Sequence, residues 1–279
     1  MDKASATRRS LINAYYASLK FLCPGLRNSQ YAYRQALQES VRPGIRWLDL
    51  GCGHQLFPDW MPDALSAQRA LVNRAAAVVG VDAVDLRPHL VGLEKVAADI
   101  EQLPFSDETF SLITANMVVE HVKDPARLLH EVQRVLLPGG LFLFHTPNAR
   151  YFEVVVARHI PAPVMRGVAH FLDGRGGDDI FPTYYRLNKA RDIVRLATES
   201  GLAPRFVRHV ECTAQGVMLG PLVILELLVI RMLRLRIFEN YRSDLVVMLE
   251  KPGRPAFASD TGEMSNEKNA ETSTTEACE

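Results

Sequence analysis

The sequence has no excess of charge of either sign, because 32 lysines and arginines balance 32 aspartates and glutamates. A net charge of zero creates no global field that would attract a polyanion, which argues against a general nucleic-acid-binding protein. The 279 residues are 48% hydrophobic and 23% charged, an ordinary globular composition. A chain of this length can bury a full core without disulfides or metals.

Cysteine is scarce, and its four positions are scattered through the chain. Cys23, Cys52, Cys212 and Cys278 form no CxxC pair and show no regular spacing. This pattern predicts neither a disulfide framework nor a zinc site, and it favours a reducing compartment. We therefore predict no metal centre.

Long hydrophobic runs are also absent. The longest, residues 217–230, has 14 residues and is interrupted by a Gly-Pro pair and by Glu226, whereas a membrane-spanning helix needs about 20 apolar residues. The basic N-terminal segment 1–23 contains Asn13 and Lys20 within its apolar stretch, which indicates a helix rather than an export signal. Together these features predict a cytoplasmic protein.

From residue 45 onward, short apolar runs alternate with helical periodicities. Nearly continuous apolar runs are typical of parallel strands that are covered by helices on both faces. Helices are predicted at 125–136, where Asp124 and Pro125 provide a start and residues 138–140 a stop, and at 188–201. The fold class is therefore α/β, with a doubly wound sheet of seven strands. The strands are predicted at IRWLDL (45–50), AAVVGVDAV (76–84), EKVAADI (94–100), FSLITAN (110–116), GLFLFHT (140–146), PRFVRHVE (204–211) and DLVVMLEK (244–251).

Three kinds of segment lie outside this alternation. Residues 1–44 are predicted to form a helical lead-in or cap on a core domain at 45–251. That domain carries inserts at 147–187 and 213–241. The tail, 252–279, is rich in Ser, Thr and Glu and has almost nothing to bury, so we expect it to be disordered.

The loop after the first strand contains two glycines, Gly51 and Gly53, around Cys52. Glycines in this position allow a tight turn and a close approach of the backbone to a ligand, although a turn without a ligand is the alternative. A dinucleotide fingerprint requires a third glycine at position 56, where this chain has Leu56. The loop therefore disfavours a nicotinamide oxidoreductase.

Two acidic residues follow the next two strands. Asp82 could accept both hydroxyls of a ribose at the crevice of the sheet, or it could be a solvated loop residue. Asp99 could accept from an adenine amino group while the N–H of Ile100 donates to a ring nitrogen. Leu103 and Phe105 could then cover the faces of the base.

These stretches resemble the class I S-adenosylmethionine-dependent methyltransferases, in the small-molecule branch that includes quinone-biosynthesis enzymes. The resemblance rests on four motifs in family order across residues 45–148: WLDLGCGHQ, VGVDAVD, VAADIEQLPFSDETFSLI and NMVVEHVKDPARLLHEVQRVLLPGGLFLFHTPN. Gln55 and Ser111 depart from the family pattern. The resemblance implies S-adenosylmethionine as cofactor and a Rossmann-like, mostly parallel sheet with an antiparallel last strand. It places Asp49, Gly51, Cys52 and Gly53 beside the methionine portion, Asp82 at the ribose, Asp99 and Ile100 at the adenine, and Asn116 near the sulfonium.

Residues that act on the methyl acceptor are harder to predict. His121, after the fourth strand, is the candidate general base, and His145 is a second one, but either could be structural. Tyr31, Tyr33, Tyr184 and Tyr185 could face the acceptor or pack the neighbouring segments onto the sheet. Acceptor identity, and methylation of oxygen, carbon or nitrogen, stay open.

The segment after the sixth strand has several interpretations. Residues 222–236 are apolar on nearly every face of a helix and end in Arg231, Arg234 and Arg236. Buried packing, a dimer contact, a lid over an apolar acceptor and a peripheral membrane contact through 217–238 all remain open. The sequence as a whole predicts a methyltransferase for a small-molecule or lipid- or glycan-linked acceptor. The alternative is a catalytically inactive cofactor-binding or membrane-associated scaffold with the same fold.

Overall fold

The structure is a computed structural model that describes residues 3–84, 87–157, 159, 182–214 and 223–253. Most of the insert predicted at 147–187, residues 217–222 of the segment 217–238 and nearly all of the predicted tail lie outside these residues. The helices are α1 (Lys3–Leu22), α2 (Ser29–Ser40), α3 (Ala64–Arg74), α4 (Pro125–Val135), α5 (Phe152–Ala157), α6 (Ala190–Glu199) and α7 (Val223–Leu233). The strands are β1 (Arg46–Leu50), β2 (Ala77–Val81), β3 (Glu94–Val96), β4 (Phe110–Asn116), β5 (Leu136–Pro147), β6 (Ala203–Val210) and β7 (Asp244–Glu250).

All seven strands form one sheet in the order β3-β2-β1-β4-β5-β7-β6. Strands β1 to β5 pair in parallel, and β7 is antiparallel to both β5 and β6. The predicted doubly wound sheet, mostly parallel with an antiparallel last strand, is confirmed. Because the chain order reverses between β1 and β4, the crevice for a ligand lies at the carboxyl ends of these two strands.

Helix α4 shows how local sequence produces an element of this fold. The Asp124 side chain accepts from the N–H of Arg127 at 3.1 Å, and Pro125 occupies the first turn, where no donor is needed. The apolar positions then recur every three or four residues on one fully buried face, at Leu128, Leu129, Val132 and Val135.

The core has two layers, one on each face of the sheet. One layer joins α4 and α6 to the inner residues of β1, β4, β5 and β7 and includes Phe142 and Phe144. The other joins α2 and α3 to the opposite face and includes Trp47 and Tyr33. The sheet is therefore covered on both sides, as its continuous apolar strands predict.

Two predicted boundaries each differ from the structure by four residues. Strand β3 ends at Val96, so Asp99 and Ile100 lie in the loop beyond it. Strand β5 begins at Leu136, directly after α4, because residues 138–140 form a bulge within the strand, with Gly139 at φ +78°, instead of a loop between the two elements.

Helices α1 and α7 form a separate layer at the carboxyl end of β6. Tyr15 of α1 and Cys23, the residue after it, are buried against Leu227 and Ile230 of α7. Within the described part of the chain, no helix has both the length and the hydropathy needed to cross a bilayer.

Candidate functional site

The loop after β1 has a backbone that only small residues accommodate. Gly51 and Gly53 have φ angles of +60° and +50°, in the left-handed region that favours glycine. A Cβ on Gly51 would overlap the side chain of Val118, which follows β4. The loop is thereby held close to the end of β4, where its backbone is accessible to a ligand.

Asp82, directly after β2, binds this loop. One carboxylate oxygen accepts from the N–H of Gly53 and the other from the N–H of Val84, both at 2.9 Å. Lys95 donates from its ammonium to the carbonyl oxygen of Gly53 at 2.5 Å. Asp82 therefore fixes the backbone of the glycine loop from the end of β2.

Asp49, near the end of β1, is buried at the base of the crevice. The Trp47 indole donates to the Thr114 hydroxyl at 2.7 Å, and that hydroxyl donates to Asp49 at 2.5 Å. Burial raises the pKa of Asp49 to about 7, and the nearby negative charge of Asp82 adds to the rise, whereas the Thr114 hydrogen bond opposes it. Asp49 therefore changes its charge near neutral pH, and a cation beside it would favour the ionised form.

The loop after β3 brings Asp99 and Ile100 to the same edge of the sheet. Asp99 accepts from the N–H of Glu101 at 2.9 Å. Arg134 of α4 orders the following stretch, because its guanidinium donates to the carbonyl oxygens of Leu103 and Phe105 at 3.0 and 2.7 Å. Leu103 and Phe105, the two residues predicted to cover the adenine, are thus both held by the side chain of Arg134.

Asn116, at the end of β4, links the sheet to the lead-in. Its amide exchanges two hydrogen bonds with Gln30 of α2, at 3.0 and 3.2 Å, and donates to the carbonyl of Leu56 at 3.4 Å. The Nδ1 atom of His145 lies 2.9 Å from the Asn116 carbonyl oxygen. Asn116 is therefore oriented from both sides.

His121 and His145 occupy different environments. His121 lies in a short 3-10 helix, is about one-third exposed, and its Nδ1 lies 2.9 Å from the Pro182 carbonyl oxygen. That oxygen can only accept, so Nδ1 carries the proton, and Nε2, 4.0 Å from Glu120, is the basic atom of the neutral ring. Burial lowers the pKa of His145 to about 3, which keeps that ring neutral.

Sequence reasoning missed three side chains at this edge. Gln30 lies 86 residues from its partner Asn116, and no local pattern distinguishes it from other helical glutamines. Thr114 was seen only as part of a strand, although it bonds Asp49. Asp244, at the start of β7, is buried 4.0 Å from Nε2 of His145, which has no hydrogen-bond partner among the described residues. Burial raises the pKa of Asp244 to about 6.

The four tyrosines considered for the acceptor side separate into different roles. Tyr33 is fully buried and stacks on His145 with ring centroids 5.8 Å apart, whereas Tyr31 packs against Trp60. The backbone N–H groups of Tyr184 and Tyr185 both donate to the carbonyl oxygen of Glu120, which holds this segment against the end of β4. In the described parts of the chain, no group of three or more His, Cys, Asp and Glu side chains is arranged to hold a metal ion.

Comparison with known proteins identifies the class that this fold and crevice define. Residues 26–202 match a family model described as a methyltransferase domain, which covers more than half of the chain. The chain belongs to this methyltransferase family, which confirms the resemblance found in the sequence.

Individual relatives share only part of the chain. The mitochondrial 2-methoxy-6-polyprenyl-1,4-benzoquinol methylase of Rattus norvegicus is 32% identical over 41% of this chain and 35% of its own length. The malonyl-[acyl-carrier protein] O-methyltransferase of Erwinia billingiae is 34% identical over 54% and 57%. The ubiquinone biosynthesis O-methyltransferase of Parvibaculum lavamentivorans is 31% identical over 46% and 53%. The chain thus spans between about one-third and somewhat more than half of these curated relatives.

A solved structure has the same fold. The S-adenosylmethionine-dependent methyltransferase from Mesorhizobium loti aligns with a TM-score of 0.51 and 21% identity, over 80% of this chain and 97% of that one. At this identity the likeness concerns the fold alone.

Proposed function

We propose that this chain is an S-adenosylmethionine-dependent methyltransferase that transfers a methyl group to a small-molecule or lipid- or glycan-linked acceptor. The observation that carries the proposal is the crevice between β1 and β4, where the glycine loop, Asp49, Asp82 and Asn116 meet in a chain of the methyltransferase family. The names of three relatives, which refer to a benzoquinol, to ubiquinone biosynthesis and to a malonyl carrier protein, support a small or carrier-linked acceptor.

The residues present suit the proposed cofactor. A Cβ at Gly51 would overlap Val118, so glycine lets the loop lie against the end of β4, where its backbone would face the methionine portion. Asp49 would face its ammonium group, Asp82 the ribose hydroxyls, and Asp99 with the N–H of Ile100 the adenine. Cys52 and Gly53 would contribute backbone, and Asn116 would lie near the sulfonium.

The cofactor, when bound, supplies an electrophilic methyl group. The protein's task is then to align the acceptor for in-line displacement and to exclude water. The helical lead-in at 1–44 would cover the crevice, since Gln30 closes onto Asn116. An acceptor that keeps its proton until late needs a base, and we assign that role to His121, whose side chain is about one-third exposed.

Calorimetric titration with S-adenosylmethionine and S-adenosylhomocysteine tests the cofactor proposal. We expect one site of micromolar affinity that D82A and D99A weaken. E199A removes an exposed carboxylate at the end of α6, far from the crevice, and serves as the matched control. Unchanged binding in both site variants would refute the ribose and adenine assignments.

A second experiment separates the enzyme from an inactive scaffold. Transfer of a labelled methyl group to acceptors of different classes, including quinols, phenols and lipid extracts, is expected for the enzyme. Cofactor binding without transfer to any of these classes would favour the scaffold. The proposal also retains a cytoplasmic location, which fractionation of cells that express the tagged chain would test.

A further inference from the structure

The outer face of α7 is apolar, although its inner face already packs on the protein. Ile224, Leu225, Leu228 and Met232 are 43–64% exposed and fall within an arc of about 100° on the helix, and Leu235 follows in the next turn. We call these five residues the outer stripe. The opposite side of α7 is buried at Val223, Leu227, Ile230 and Leu233. Helix α7 is therefore apolar on both faces, and its outer face stays partly exposed to solvent.

Helix α1 also carries exposed apolar residues. Tyr16 and Phe21 of α1 are 61% and 83% exposed. Arg231 and Arg234 join the two helices, since their guanidinium groups donate to the carbonyl oxygens of Leu22 and Pro24 at 2.7 and 3.0 Å. The exposed apolar residues of α1 and α7 therefore belong to one packed layer.

The charge of this layer has one dominant sign. Residues 3–27 contain five basic residues and no acidic one, in a chain whose net charge is zero. Residues 223–238 contain three arginines and only Glu226 as an acid. Lys20 and Arg236 are exposed beside the apolar positions.

The layer of α1 and α7 also lies at the carboxyl edge of the sheet, where the candidate crevice is found. Asn28, between α1 and α2, donates to Thr213 directly beyond the end of β6. Leu233 of α7 packs with Tyr151 and Val154, which follow the end of β5. The outer stripe and the candidate crevice are thus on the same carboxyl edge.

We propose that the outer stripe, with the exposed apolar residues of α1, docks on the surface of an anionic lipid bilayer. Apolar side chains flanked by lysine and arginine match the interfacial region of such a membrane, where acyl chains lie beneath negatively charged head groups. A second copy of this chain would place the same basic residues opposite each other, and like charges at a contact oppose association. The docking does not depend on the proposed methyl transfer.

Co-sedimentation of the full chain with vesicles tests this proposal. We expect binding to phosphatidylcholine vesicles that contain phosphatidylglycerol, weaker binding to phosphatidylcholine alone, and a loss of binding as salt rises. The double variant L225E/L228E should reduce partitioning at least about tenfold, because two leucines no longer enter the interface. R236E should weaken binding to the anionic vesicles only. L65E changes a leucine of similar exposure on α3 and should bind like the wild type.

Three results would overturn the proposal. The first is a full chain that does not sediment with anionic vesicles, and the second is equal partitioning of L225E/L228E and wild type. The third is a concentration-dependent dimer in sedimentation velocity that L225E/L228E abolishes, which would assign the stripe to a second copy. Thermal melting of each variant establishes that the compared proteins are folded.

Discussion

The titration of Asp49 leads to a prediction that links the crevice to its proposed ligand. Asp49 is buried, and its pKa is raised to about 7, chiefly by loss of hydration. A ligand that places an ammonium and a sulfonium beside this carboxylate favours the ionised form. Binding should therefore release a proton at pH values below about 7, and affinity should increase as the pH rises.

The magnitude follows from the fraction of Asp49 that is ionised before binding. With a pKa of about 7, roughly one-tenth is ionised at pH 6 and roughly nine-tenths at pH 8, so the affinity for S-adenosylmethionine should rise about tenfold between these values. Titration calorimetry in buffers of different ionisation enthalpy measures the released proton directly. The ligand's own amino group also titrates in this range, so the difference between wild type and D49N is the quantity to compare.

The Asp49 variant also provides the control. In D49N the amide oxygen can still accept from Thr114, but no proton remains to be released, so the variant should bind weakly and show none of the pH dependence attributed to Asp49. The variant D82A should bind weakly yet retain the proton release. If D49N and wild type show the same pH dependence, Asp49 does not face the cationic part of the ligand.

Four further results are expected. G51A should abolish cofactor binding and lower the melting temperature, because the new methyl group meets Val118 and the backbone is in the left-handed region. R134M should lower the free energy of unfolding by about 1–3 kcal/mol, since several charge-assisted hydrogen bonds are lost at a partly exposed site, and denaturant unfolding measures this effect. The same variant should weaken cofactor binding, measured by calorimetry, because Arg134 orders the loop after β3. Q30A should leave the fold intact but reduce turnover more than cofactor affinity, which steady-state kinetics can separate. Between pH 4 and 7 the free energy of unfolding should fall as pH rises, by about 4 kcal/mol at most from Asp49 alone, because the folded protein retains a proton that the unfolded chain releases. In urea titrations D49N should remove this part of the slope and leave the part that Glu120 and Asp244 contribute.

The sheet could be predicted because its strands are continuous apolar runs. The predicted bounds of β4, residues 110–116, agree with the structure, and β1 and β2 differ by only a few residues at their ends. Strand β5 was predicted to begin at residue 140, whereas it begins at Leu136. A Pro-Gly-Gly sequence can end a helix in a loop or form a bulge within a strand. Here Leu136 already pairs with Phe110 of β4, so residues 138–140 form a bulge within β5.

The cofactor side of the site could be proposed from sequence, whereas the electrostatics of the site could not. Asp49, Asp82 and Asn116 lie at the ends of strands whose order a doubly wound sheet imposes, so their proximity follows from topology. The raised pKa of Asp49 depends on burial and on the negative charge of Asp82, which follows another strand. Such an effect becomes visible only when the strands are placed side by side.

One face of α2, which no sequence motif marks, contacts the ends of three strands. Within α2, Gln30 bonds the end of β4, Tyr33 stacks on His145 of β5, and Ser29 hydrogen-bonds Asp244 of β7. Gln30 and Tyr33 follow Ser29 by one and four residues, so the three side chains lie on a single side of the helix. They meet three strands that are far from α2 in the sequence. We propose that the side chains of α2 help to select the acceptor, since an acceptor that reaches Asn116 would have to pass or displace this face. The contacts that hold the face in place join distant parts of the chain.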